Sequence, residues 1–103
     1  MEFPNVTAHA KANLYFDGKV VSHAIVTASG EKKTMGVIFE GEYHFGTEAA
    51  ERMEIIDGSC SVVIDGKEES TIHAAGEAFE IEANSGFTIT VGSEGCQYVC
   101  TYL

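Results

Sequence analysis

Glycines at positions 18, 30, 46, 58, 66, 76 and 86 punctuate this chain at intervals of mostly 8 to 12 residues. Three follow an aspartate, giving Asp17-Gly18, Asp57-Gly58 and Asp65-Gly66. Such dipeptides close hairpins because both residues tolerate positive φ. The segments between turns are short and rich in Val, Ile, Phe, Tyr and Thr, and several alternate with period two. Phe79 and Ile81 oppose Glu80 and Glu82; Phe87, Ile89 and Val91 oppose Thr88 and Thr90; Tyr98, Cys100 and Tyr102 repeat the pattern. Short strands with turns at this spacing predict an all-β sandwich or barrel. The one helical candidate is Thr47 to Arg52, a turn or two behind a Thr cap. Asp57-Gly58 is expected to join Glu51–Asp57 and Ser59–Asp65 as a hairpin.

A chain of 103 residues allows one domain of about 100 residues. Residues 13–103 are assigned to it, and Met1 to Ala12 read as an N-terminal arm, either an edge strand for another chain or a loose tail. Sixteen acidic against six basic residues leave a formal charge of −10. Nucleic acid is therefore not an expected partner, since phosphate affinity needs clustered Lys and Arg. No apolar run is long enough for a membrane span, and residues 1–20 lack a basic-then-apolar leader, so a soluble, cytoplasmic protein is expected. Three cysteines do not suggest a disulfide framework. Cys96 and Cys100, on one face of a strand, would lie roughly 13 Å apart, too far for a bridge; buried free thiols are expected. With no strand-to-helix junction there is no P-loop and no dinucleotide fingerprint. Any anion site must use side chains and loop amides.

The segment from Gly36 to Gly58 carries the candidate chemistry. On a strand running from Met35 to Phe45, alternation groups Ile38, Glu40, Glu42 and His44 on one face and Val37, Phe39, Tyr43 and Phe45 on the other. The spacing resembles the cupin metal motif: Glu42 lies six residues after Gly36, His44 two further, and Glu51 seven before Gly58. A second block runs from Gly76 through Phe79 and Ile81 to Ser85 and Phe87. The ligand set is incomplete, with Glu42 in place of the first His and Ser85 and Phe87 near the place of the last. No bound metal is expected.

The ordered motifs are Tyr15-Phe16-x-Gly18-Lys19-Val20-x-Ser22, Gly36-Val37-x-x-x-Gly41-Glu42-Tyr43-x-Phe45-x-Thr47, Glu51-x-Met53 with Gly58, Gly76-x-x-Phe79, Ser85-x-Phe87 and Tyr98-x-Cys100-x-Tyr102-Leu103. Together they resemble the small pyrimidine/purine nucleoside phosphorylases, from Tyr15 to the C-terminus. The resemblance implies a single-domain cupin β-barrel or jelly roll that forms a homodimer and works without a cofactor. It would use inorganic phosphate as co-substrate to cleave purine and pyrimidine nucleosides into free base and pentose 1-phosphate. Two departures stand out: Glu82 replaces an expected proline, and Thr101 replaces a basic residue.

Phosphorolysis passes through a transition state of oxocarbenium character, like glycoside hydrolysis with phosphate as nucleophile. Glu42 and Glu51 are the candidate catalytic carboxylates, one for the pentose and its developing charge, the other, raised in pKa, for the leaving base. Lys19 is the candidate phosphate ligand, with Ser22, Thr47 and Ser85 as neutral donors. Tyr43, Phe87, Tyr98 and Tyr102 are the aromatic candidates for stacking on a base, of which Tyr43, Phe87 and Tyr98 are carried forward as site residues. The alternatives are a metal-dependent cupin enzyme, a dioxygenase or isomerase using Glu42, His44 and Glu51, and a binding module that holds a sugar or nucleoside without turnover.

Overall fold

The computed structural model describes residues 1–103 as ten strands and no helix. These are β1 (Thr7–Ala8), β2 (Asn13–Tyr15), β3 (Val20–Val26), β4 (Lys32–Ile38), β5 (Gly41–Gly46), β6 (Glu51–Ile64), β7 (Ser70–Ala74), β8 (Ala78–Ile81), β9 (Gly86–Val91) and β10 (Cys96–Tyr102). Every pairing is antiparallel, and the principal order is β1-β3-β4-β10-β6-β9-β5, with β2 on β3 and β7 and β8 on β6. The sheet curls around a core that includes Ile38, Ile55, Val62, Ile81, Ile89 and Cys96. No helix is long and apolar enough to cross a membrane.

The period-two segments fold as their alternation dictates: Phe87, Ile89 and Val91 are buried on β9, and Ile81 on β8. Asp17-Gly18 closes the β2–β3 connection as expected, with Tyr15 paired to Val20. Asp57-Gly58 does not close a hairpin. Its backbone continues as one 14-residue strand, β6, whose first half pairs with β10 and β8 and whose second half pairs with β7 and β9. Gly58 has φ of +79°, and a Cβ there would collide with the Gly95 carbonyl. The glycine thus serves a bend where the strand passes from one side of the barrel to the other.

The helix expected over Thr47–Arg52 is absent, because β6 begins at Glu51 and takes that residue into the sheet. A second correction concerns the strand expected from Met35 to Phe45. The chain turns a corner at Phe39 and Glu40, between β4 and β5. The Tyr43 hydroxyl donates to both corner carbonyls, at 3.0 and 2.8 Å. Inserting the corner reverses the inward set: Tyr43 is buried and Phe45 partly so, while Glu42 and His44 face solvent. The arm folds on its own chain, with Thr7 and Ala8 opposite Val26 and Ile25 of β3.

The three cysteines are free and buried. Val99 and Thr101, on the other face of β10 from Cys100, are buried too. This follows from the central place of β10, flanked by β4 and β6.

Candidate active site

A cavity of about 190 Å³ opens between the inner face of the β3-β4-β10-β6 side and the aromatic residues of β5 and β9. Register explains its polar wall. Ser22, Gly36 and Tyr98 are cross-strand partners, as are Thr34 and Cys100, and Tyr102 and Glu51. Strands one residue out of phase would turn this whole set outward. The wall therefore gathers Ser22, Thr34, Glu51, Tyr98, Cys100 and Tyr102 around one space. Tyr15, Phe45 and Phe87 contribute the aromatic surfaces, with Ile38 and Met53 between. Phe45 and Phe87 stack at 5.7 Å, 28° between planes.

Glu51 is the only carboxylate in the lining, which holds no Lys, Arg or His. Burial pushes its pKa up, and a hydrogen bond from the Cys100 thiol, at 3.2 Å, partly offsets the rise. Desolvation also raises Cys100, with the negative charge of Glu51 adding to it. Tyr98 is raised by burial, less so because of its hydrogen bond with Ser22; Tyr102 is likewise raised by burial and eased by Thr34. Cys100, Tyr98 and Tyr102 hold their protons at neutral pH and form a wall of neutral donors and acceptors around the Glu51 carboxyl.

The sequence candidates divide on this geometry. Ser22, Glu51, Phe87 and Tyr98 line the cavity together. Glu42 lies outside it, exposed on β5 and accepting a hydrogen bond from Thr90 at 3.2 Å. Lys19 is exposed at the end of the β2–β3 turn. Tyr43 is committed to the corner at Phe39 and Glu40. The Thr47 hydroxyl donates to the Glu82 carbonyl at 2.6 Å and accepts from the Ser85 amide at 3.0 Å, so Thr47 and Ser85 fasten two loops instead of facing the cavity. Thr101 points to the outer face, where it accepts from Lys33 at 2.8 Å.

Glu42, His44 and Glu51 do not form a metal site, because the first two face solvent on β5 while Glu51 lines the cavity. His44 instead pairs with Asp65 at 2.9 Å. No three metal-ligating side chains of this kind converge anywhere in the chain. Tyr102, an aromatic candidate from the sequence, lines the cavity as well, whereas sequence reasoning missed Tyr15, Thr34 and Cys100 as lining residues. The even spacing of Tyr98, Cys100 and Tyr102 was the available signal for Cys100; nothing local marked Thr34.

The fold is shared with cupin-type proteins. The EutQ protein of Clostridium difficile superposes with a TM-score of 0.66 at 21% identity, over 81% of this chain and 67% of that one. At closer range, a protein of unknown function from Acinetobacter sp. ADP1 superposes with a TM-score of 0.95 at 39% identity, over 99% of this chain and 98% of that one. A pyrimidine/purine nucleoside phosphorylase of Aromatoleum aromaticum is 50% identical over 101 residues, 98% of this chain and 94% of the relative. The family model described as pyrimidine/purine nucleoside phosphorylase matches residues 10–102. This chain of cupin-type fold belongs to the pyrimidine/purine nucleoside phosphorylase family.

Proposed function

We propose that the protein cleaves purine and pyrimidine nucleosides with inorganic phosphate, giving free base and α-D-ribose 1-phosphate. The observation that carries this reading is Glu51: one half-buried carboxyl group set between a wall of hydroxyls and a wall of aromatic rings. In the reaction, a phosphate oxygen bonds to C1′ as the bond from C1′ to the base nitrogen breaks. The departing base takes up a proton, which Glu51 supplies from its protonated form. In that protonated form Glu51 adds no charge to repel the incoming phosphate in a chain of charge −10. Hydroxyls of Ser22, Thr34, Tyr98 and Tyr102 supply donors to phosphate and pentose in place of a cation. Stacking on aromatic faces suits both base classes, because every base presents a π-face.

The cavity is smaller than the roughly 300–1,000 Å³ of sites that enclose a drug-sized ligand. It suits one part of the nucleoside, with the remainder at the mouth. The enzyme is proposed to need no cofactor, to reside in the cytoplasm and to work as a homodimer. For the last, support comes from the outer face around Val21, Met35, Val37 and Ile56, which meet at one groove.

The decisive experiment incubates purified protein with uridine, inosine or adenosine, with and without phosphate and chelator, and follows base release by chromatography. Release that requires phosphate and persists with chelator is expected. A folded protein that releases no base from any of the three would overturn the proposal.

A further inference from the structure

We propose that Tyr15 is the residue on which the nucleobase stacks, and that the left-handed turn after it is what positions the ring; this rests on the nucleoside phosphorylase reading. Stacking requires an uncovered ring face. Phe87 and Tyr98 line the cavity but are only 2% and 8% exposed, so their faces are already occupied by the core. Two lining tyrosines have exposed surface, Tyr15 at 45% and Tyr102 at 43%; Tyr102 is tied to Thr34 on the hydroxyl wall, which leaves Tyr15 on the aromatic side. Its ring stands edge-on to Phe45, 6.1 Å between centroids and 85° between planes. An aromatic plane is thus held upright at the mouth of a space whose deeper wall is Phe45 stacked on Phe87.

The backbone that presents it is unusual. Phe16, Asp17 and Gly18 all have positive φ, at +52°, +57° and +83°. Glycine adopts that conformation freely, whereas a phenylalanine does so only where its surroundings impose it. Here the Phe16 ring is gripped by Tyr43 at 5.0 Å and Phe45 at 5.5 Å. The Gly18 and Lys19 amides donate to the Tyr15 and Phe16 carbonyls, at 3.1 and 3.2 Å, and the Phe39 amide donates to the Lys19 carbonyl at 2.8 Å. Phe16 is therefore a positioning residue that fixes the direction in which the preceding side chain leaves the strand.

The test compares wild type with Tyr15→Ala and Tyr15→Phe. In Tyr15→Ala, KM for the nucleoside is expected to rise on the order of tenfold, more for adenosine than for uridine because two rings lose more stacking area than one. KM for phosphate and the thermal midpoint should stay as in wild type, and Tyr15→Phe should keep both nucleoside constants. An unchanged nucleoside KM in Tyr15→Ala overturns the assignment. So does an equal rise for nucleoside and phosphate with a lowered midpoint, the mark of a merely structural role. Calorimetric titration of adenine and adenosine into the same proteins separates the two readings. Binding by wild type that weakens in Tyr15→Ala, without turnover, upholds the stacking residue and rejects the phosphorylase; no binding by wild type rejects Tyr15 directly.

Discussion

Two glutamates nine residues apart in sequence have opposite surroundings. Glu42 is exposed and bonded to Thr90; Glu51 sits in the cavity with a raised pKa and a thiol partner. Glu51→Gln keeps the shape and removes the transferable proton, so kcat should fall by about 10²–10⁴. Glu42→Gln should leave kcat unchanged and shift stability by less than about 0.5 kcal/mol. Steady-state rates and thermal midpoints of the two variants check both statements, and comparable losses in the two would remove Glu51 from the mechanism. Residue type pointed to both carboxylates, but composition carries no information on which side of a strand a side chain leaves. That depended on the corner at Phe39 and Glu40, and one missed corner reverses the inward set of everything after it. Lys19 and Thr47 illustrate a different limit. Their chemistry suits phosphate, yet what they face is set by loops whose path no periodicity describes.

At the level of elements, β6 is the spine of the barrel, and Gly58 is where it bends. Gly58→Ala would add a Cβ against the Gly95 carbonyl in a left-handed conformation. A loss of more than about 2 kcal/mol is expected, from backbone strain of about 1–2 kcal/mol plus displacement of β10. Urea unfolding measures it, and a loss under about 0.5 kcal/mol would show that the bend is not constrained as described. The strands themselves were legible in the sequence because alternation over Phe79–Ile81 and Phe87–Val91 reports a buried face directly. The identity of Asp57-Gly58 was not. The same dipeptide serves a hairpin turn and a bend within a strand, and only the partners of the flanking residues distinguish them.

For the whole molecule, Glu51, Tyr98, Cys100 and Tyr102 all have pKa values raised by burial. Each therefore binds its proton more tightly folded than unfolded, and stability falls as pH rises past the unfolded value. For Glu51 the loss begins above the ordinary carboxylate range near about 4.3; for the thiol and phenols it begins near about 8.5 and 10. Thermal midpoints should decline on the alkaline side, and Glu51→Gln should flatten the slope between weakly acidic and neutral pH. Equal slopes in wild type and variant would contradict the assignment.

The position of β10 between β4 and β6 has a consequence for biosynthesis. β10 is made after both of its neighbours and fills the gap between them, so the barrel cannot close until residues 96–102 have emerged from the ribosome. Until then, β4 and β6 each lack the neighbour that later pairs with them. Nascent chains on crowded polysomes would expose two such unfinished edges, at which one chain can pair with another. Closure waits for β10, and a truncation that removes residues 96–102 takes out the middle of the sheet instead of trimming its rim.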